Sequence, residues 1–166
     1  MIQLKSIREI ELMALGGKIL AETVEMLRSA VHAGMSTWEL DRQAEEFIRS
    51  HDGATPAFKG LYGFPGSICV SINDEILHGI PSKKRLLQEG DVVSIDVGVG
   101  YKGFFTDGAV TVPVGTVDAE TKRLLAVTQD ALGSGIAAAT PGNHIGDIGA
   151  AVQAVVERAG FSVVRD

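Results

Sequence analysis

The stretch SIDVGVGYKGFFTDGAV, residues 94–110, reads as a β-hairpin, yet each arm carries an aspartate, Asp96 and Asp107. Aspartate is depleted in strands. In 92–99, Val93, Ile95, Val97 and Val99 alternate onto one face, while Val92, Ser94, Asp96 and Gly98 take the other. A turn over 100–103, followed by a returning arm over 104–112, places Asp96 directly opposite Asp107, with Cβ atoms roughly 4.5–5.5 Å apart. Slipping the register by two residues keeps both carboxylates on one face as diagonal neighbours, whereas slipping it by one separates them. Like charges side by side destabilise a hairpin. Two readings stand: a solvated polar face, or another register, in which the charges are screened; or a cation between them. Mn²⁺, Fe²⁺, Co²⁺ and Zn²⁺ accept carboxylates, and two such ions about 3.5–4 Å apart require a bridging ligand. Two aspartates cannot fill two coordination spheres, so further ligands would have to come from elsewhere.

Composition narrows the class. The chain has 166 residues, 45% apolar and 22% charged, which are values of an ordinary globular domain with its own core. A net charge of −6 argues against nucleic-acid binding through a general basic field. A single cysteine, Cys69, excludes an intrachain disulfide and suits a reducing cytoplasm. MIQLKSIREIELM has no uninterrupted apolar run of the kind a signal peptide needs, and no segment approaches the roughly 18 apolar residues of a membrane span.

Around the hairpin the chain reads mostly as helices. Residues 5–31 form a long amphipathic helix that Ser6 caps with Glu9 as capping-box partner. Ser36 or Thr37 caps a second helix to about Ser50, with Leu40, Ala44, Phe47 and Ile48 on one face. A loop rich in Gly and Pro follows from Gly53 to Gly66, then a strand over 67–72 and a turn-rich loop through NDEILHGIP. Helices recur at 118–139 and 145–159. Laying AGMSTWELDRQAEEFIRSHDG on PGNHIGDIGAAVQAVVERAG sets Gly34 on Gly142, Leu40 on Ile148, Ala44 on Val152 and Phe47-Ile48 on Val155-Val156. The shared order suggests an internal duplication; chance similarity of two helix pairs is the alternative. The second unit reaches FSVVRD just where a strand is expected to begin.

GFPGSICVSINDEILHGIP (63–81), EGDVVSIDVGVGYKGFFTDGAV (89–110) and AGFSVVRD (159–166) resemble the type I methionine aminopeptidases. The resemblance runs from the first helix to residue 166 and stops short of that family's G-H-G-I-G segment, so it covers about its N-terminal two-thirds. It implies an α+β, pita-bread (creatinase/aminopeptidase-like) fold, internally duplicated with the second repeat incomplete: 1–112 as the first repeat and 113–166 as the start of the second. The implied activity is metal-dependent removal of the initiator methionine from nascent polypeptides in the cytoplasm, with the ribosome as a candidate partner.

By the same resemblance, Asp96 and Asp107 are metal ligands, Asp107 the bridging one, for two divalent ions (Co, Mn, Fe or Zn). The remaining ligands would be the G-H-G-I-G histidine and two later glutamates. His78 matches the histidine that lies over the substrate. Phe58, Leu61, Phe64 and Cys69 fall at the positions of the methionine pocket, and Asn73 near a monovalent-cation site. A plain packing role for those four, and an ordinary turn role for His78, are the alternatives on spacing alone. His32, His51 and His144 sit at helix ends, where cap contacts explain the first two. The implied enzyme would carry only part of its site in these residues. The chain alone is then expected to show little activity, weak metal affinity and a tendency to self-associate through Val152, Val155 and Val156. A non-catalytic pita-bread fragment or relative that binds peptide or a partner is the alternative function.

Overall fold

The computed structural model describes residues 3–164. They fall into two compact units, one up to Thr116 and one from Val117 onward.

Helix α1 (Ile7–Ala30) begins at the expected capping box: the Ser6 hydroxyl accepts from Glu9 N, and the Glu9 carboxylate accepts from Ser6 N at 2.6 Å. Two otherwise orphaned donors are thereby satisfied. Gly34, at φ +87°, lets the chain reverse into α2 (Thr37–Arg49), whose N-cap is Ser36. Leu40, Ala44 and Ile48 are fully buried along one stripe of α2, and Arg42 and Glu46 pair on the opposite face at 2.7 Å.

The sheet is organised on β3 (Val92–Tyr101). One edge of β3 pairs antiparallel with β4 (Phe104–Pro113). The other edge pairs with two strands in succession: β1 (Ala54–Pro56) along Val99–Tyr101, and β2 (Ile68–Ile72) along Val93–Val97. The strand β1 lies inside the segment expected to be loop. It is three residues long and ends at Pro56, which has no N–H to extend a ladder, so it leaves no periodic signal.

The hairpin turn also differs from expectation. It contains only Lys102 and Gly103, at φ +47° and +87°, and Gly100 and Tyr101 remain in the strand. A two-residue turn with both residues at positive φ matches the right-handed twist of the flanking strands. The register therefore shifts by two from the directly opposed pairing: Asp96 faces Ala109, and Asp107 faces Gly98. Both carboxylates stay on one face as diagonal neighbours.

The opposite face is the core. Ile68 and Val70 of β2 join Val93, Ile95, Val97 and Val99 of β3 under Ile19 and Leu27 of α1 and the buried stripe of α2. Each such buried aliphatic side chain contributes roughly 1.5–3 kcal/mol. Helix α1 crosses the hairpin closely at its smallest side chains. A Cβ on Gly16 would meet Thr106 Cγ2 at 3.4 Å, and one on Gly108 would meet Leu20 Cδ2 at 3.3 Å.

In the second unit Asp118 caps α3 (Ala119–Ala138), accepting from Thr121 N at 2.8 Å. Helix α4 (Ile145–Arg158) starts behind His144, whose N–H is taken by the Asp147 carboxylate at 2.7 Å. The two helices meet at Gly135, where a Cβ would lie 2.9 Å from Val152 Cγ2. Val152, Val155 and Val156 are half-buried rather than bare, and the large apolar side chains exposed in this unit, among the described residues, are Leu124, Leu132, Ile136, Ile145 and Val164. Residues 161–164 take no regular structure, and the last two residues of the expected strand start, Arg165 and Asp166, lie outside the described residues.

Two glycine substitutions in open space should act with opposite signs. Gly103→Ala, forced to hold φ +87°, should lower stability by about 1–2 kcal/mol. Gly17→Ala, inside α1, should raise it by roughly 0.5–1 kcal/mol. Urea unfolding of the two variants beside the parent measures both.

Candidate metal and substrate site

The face of the sheet turned away from α1 and α2 holds the chemistry. The register places Cys69 of β2 opposite Asp96, Ala109 of β4 on its other side, and Asp107 opposite Gly98. Asp96 is half-buried and Asp107 exposed, and both line one cavity. Gly98 leaves its side-chain volume to Phe58: a Cβ there would sit 2.5 Å from Phe58 Cε1.

The apolar wall arises where β1 hands over to β2. After Ala57 N donates to Gly98 O at 2.9 Å, the chain leaves the sheet edge and closes on itself through Gly60 N to Phe64 O, also 2.9 Å. Gly60, Tyr62 and Gly63 all take positive φ in this excursion. It is tied to α2 by two carboxylates one helical turn apart. Asp41 Oδ1 accepts from Ser67 N at 2.6 Å and Ile68 N at 3.0 Å. Glu45 accepts from the Lys59 ammonium and, at 3.1 Å, from the Ser67 hydroxyl. Burial pushes the Asp41 carboxyl above its usual range, and the two backbone N–H donors partly offset this.

Phe58, Leu61, Phe64, Cys69, His78, Asp96 and Asp107, all seven residues named from the sequence, line a single cavity of ≈580 Å³. Tyr62, Pro65 and Ile80 line it as well and were not foreseen, since each reads locally as a turn or loop residue. Gly98 was also missed, because a glycine that serves by having no side chain leaves no chemical mark.

The other histidines are not among the cavity's lining residues. His32 Nδ1 is 2.8 Å from Ala30 O, His51 Nδ1 is 2.9 Å from Phe47 O, and His144 is the α4 N-cap. Asn73, at φ +57°, uses both ends of its amide: Oδ1 accepts from Val92 N and Nδ2 donates to Asp91, each at 2.9 Å.

Electrostatics at the aspartates favour a cation. Burial first, and then the charge and hydrogen bond of Asp107, raise Asp96 to about 6, with His78 pulling the other way. Burial, then Asp96 and Asp107, push the Cys69 thiol up to about 11, so it is neutral at pH 7. Among the described residues no lysine or arginine lines the cavity to balance the carboxylates. The donor set thus fits a hard or borderline divalent ion, but only in part. Among the described residues no group of three or more His, Cys, Asp or Glu side chains is placed to hold a metal.

The sheet that carries the carboxylate pair belongs to a pita-bread fold, and the chain belongs to metallopeptidase family M24, whose model matches residues 11–166. Over its full length it is 49% identical to the methionine aminopeptidase of Clostridium perfringens and 46% identical to methionine aminopeptidase 1 of Bacillus subtilis. The crystal structure of methionine aminopeptidase from Rickettsia prowazekii matches the whole chain with a TM-score of 0.95 at 41% identity. In each case the chain spans 66% of the relative's length.

The raised Asp96 pKa has a measurable consequence for stability. The folded chain holds this proton more tightly than the unfolded chain, where the pKa is about 3.9. Stabilisation from the protonated form is complete below about pH 4 and is lost as pH rises through about 6. In metal-free solution the Tm should therefore fall between pH 5 and pH 7 by an increment that Asp96→Asn removes. A Tm difference between parent and variant that stays constant across that range would contradict the assignment.

Proposed function

We propose that these residues form part of the active centre of a metal-dependent aminopeptidase that removes the initiator methionine from nascent proteins. The observation that carries this reading is the convergence of Asp96, Asp107 and His78 with an apolar wall on one cavity. Similarity to methionine aminopeptidases over the whole chain supports it.

Asp96 and Asp107 would hold divalent ions, with Co²⁺, Mn²⁺, Fe²⁺ and Zn²⁺ as the candidates and Asp107 as the bridging ligand. When bound, such ions supply Lewis-acid activation of water and of the scissile carbonyl. Phe58, Leu61, Phe64 and neutral Cys69 receive the unbranched methionine side chain without placing a charge against it. His78 donates a hydrogen bond to the scissile amide or to the oxygen on which charge develops. The G-H-G-I-G histidine and the two glutamates implied by the resemblance are not found in the 166 residues. A second reading is peptide binding without catalysis, through the apolar wall of the same cavity.

The domain reading is that 113–166 begins a second copy of the unit in 1–112. Three landmarks recur in step: C-caps at Val31 and Ala139, positive-φ glycines at 34 and 142, and N-caps at Ser36 and His144. Exposed Leu132 and Ile136 on α3 would drive self-association of the chain by itself. A monovalent cation beside Asn73 would rely on backbone carbonyls, since the Asn73 amide is already engaged. Action in the cytoplasm, at the ribosome where initiator methionines emerge, completes the proposal.

The deciding assay is methionine release from a Met-Ala-Ser peptide with Mn²⁺ or Co²⁺. It compares the 166-residue chain with a longer protein carrying the remaining ligands. Turnover is expected only from the longer protein, and equal turnover by the 166-residue chain would show that its ligands lie elsewhere. In the longer protein His78→Ala should lower kcat on the order of 10²–10³-fold with bound metal unchanged. Loss of metal with unchanged turnover per ion would make His78 structural instead.

A further inference from the structure

His78 has φ +59°, a left-handed conformation disfavoured for any residue with a Cβ. Such a conformation persists only where the surroundings impose it. The residue after it supplies the constraint. Gly79 lies flush on the outer edge of β2: its carbonyl accepts from Val70 N at 2.9 Å, and a Cβ would stand 2.0 Å from Val70 O. The remaining backbone group, Gly79 N–H, donates to the Ser71 hydroxyl at 3.1 Å. Ser71 is 3% exposed and shares the sheet face of Cys69 and Asp96.

The rest of the loop is closed from both sides. Arg85 donates to Ile80 O at 3.1 Å and pairs with the Glu75 carboxylate, which also accepts from Ile72 N at 2.9 Å. Beyond it, Ser82 N donates to Thr37 Oγ1 at 2.9 Å, joining the loop to the start of α2.

We propose that Ser71 is a positioning residue that holds His78 over the Asp96–Asp107 pair, with Arg85 and Glu75 closing the loop around it. The proposal rests on the role given to His78 above. Among these contacts the Ser71 hydroxyl is the one side-chain acceptor that reaches the backbone next to His78. It projects from β2, whose Cys69 pairs with Asp96 of β3, so the distance from His78 to the carboxylates is set through directly paired strands of one sheet. Alanine at 71 would leave Gly79 N–H without its acceptor and free the His78 backbone to relax, whereas threonine keeps the hydroxyl.

The test has two arms. In the isotopically labelled 166-residue chain, Ser71→Ala should speed Gly79 amide exchange roughly tenfold or more and move the His78 Cα shift away from its left-handed value. Ser71→Thr should restore both. If Ser71→Ala does not fold, Arg85→Met, which loosens the loop from its outer side, should give the same two changes. Unchanged exchange and shift in the folded variant would overturn the proposal. In the metal-loaded longer protein, Ser71→Ala should lower kcat on the order of 10–100-fold with KM within about twofold. In a His78→Ala background it should lower kcat no further, because there is no histidine left to place. Equal losses in both backgrounds would mark Ser71 as merely structural. If the parent releases no methionine at all, the functional reading fails, and the first arm still decides whether Ser71 holds His78.

Discussion

Along one edge of β3 the backbone hydrogen bonds are made by β1 at Val99–Tyr101 and then by β2 at Val93–Val97, and the chain between them leaves the edge at Ala57 and returns at Ser67. The interruption falls at Gly98, beside Asp96 and opposite Asp107. An edge that would otherwise be one continuous strand is split where the carboxylates stand, and the displaced segment becomes the apolar wall. The excursion can leave the ladder because its polar groups are satisfied elsewhere. Gly60 and Phe64 bond within the loop, and Asp41 takes the two N–H groups at the point of return. Buried backbone donors left unpaired there would be costly.

The two faces of β3 follow opposite priorities. Val93, Ile95, Val97 and Val99 are fully buried and give the sheet its stability. Asp96 holds a carboxyl where burial and a like charge both oppose ionisation, so that face gives up stability for a concentration of negative potential. The asymmetry is possible because a strand alternates its side chains. One ten-residue strand can therefore anchor the core and carry one of the two carboxylates at once.

Much of this was legible from residue order, and the exceptions have physical causes. Both helices of the first unit and their caps followed from Ser6, Glu9, Ser36 and the apolar stripes, because capping and amphipathicity are local. The shared face of Asp96 and Asp107 followed from period-two alternation. Their exact partners did not, because the turn type was decided by Lys102 accepting positive φ, which composition does not signal. β1 was hidden because its pairing partner lies far along the chain and Pro56 disguises it. Asp96 and Asp107 stood out from the alternation itself, while Phe58, Leu61, Phe64, Cys69 and His78 owed their assignment to resemblance rather than pattern. The supports behind them, Asp41 and Ser71, are ordinary residues whose importance comes only from which backbone they reach.

The stacking of Phe58 on Gly98 means that two positions far apart in sequence occupy one volume. Cavity depth next to the carboxylates is thus a property of the pair rather than of either residue. A smaller side chain at 58 would open room for one at 98, while enlarging 98 first would collide with the ring. Drift at these sites has a preferred direction: the aromatic must shrink before the glycine can grow. A lineage that has taken the first step but not the second would carry a deeper cavity beside unchanged aspartates.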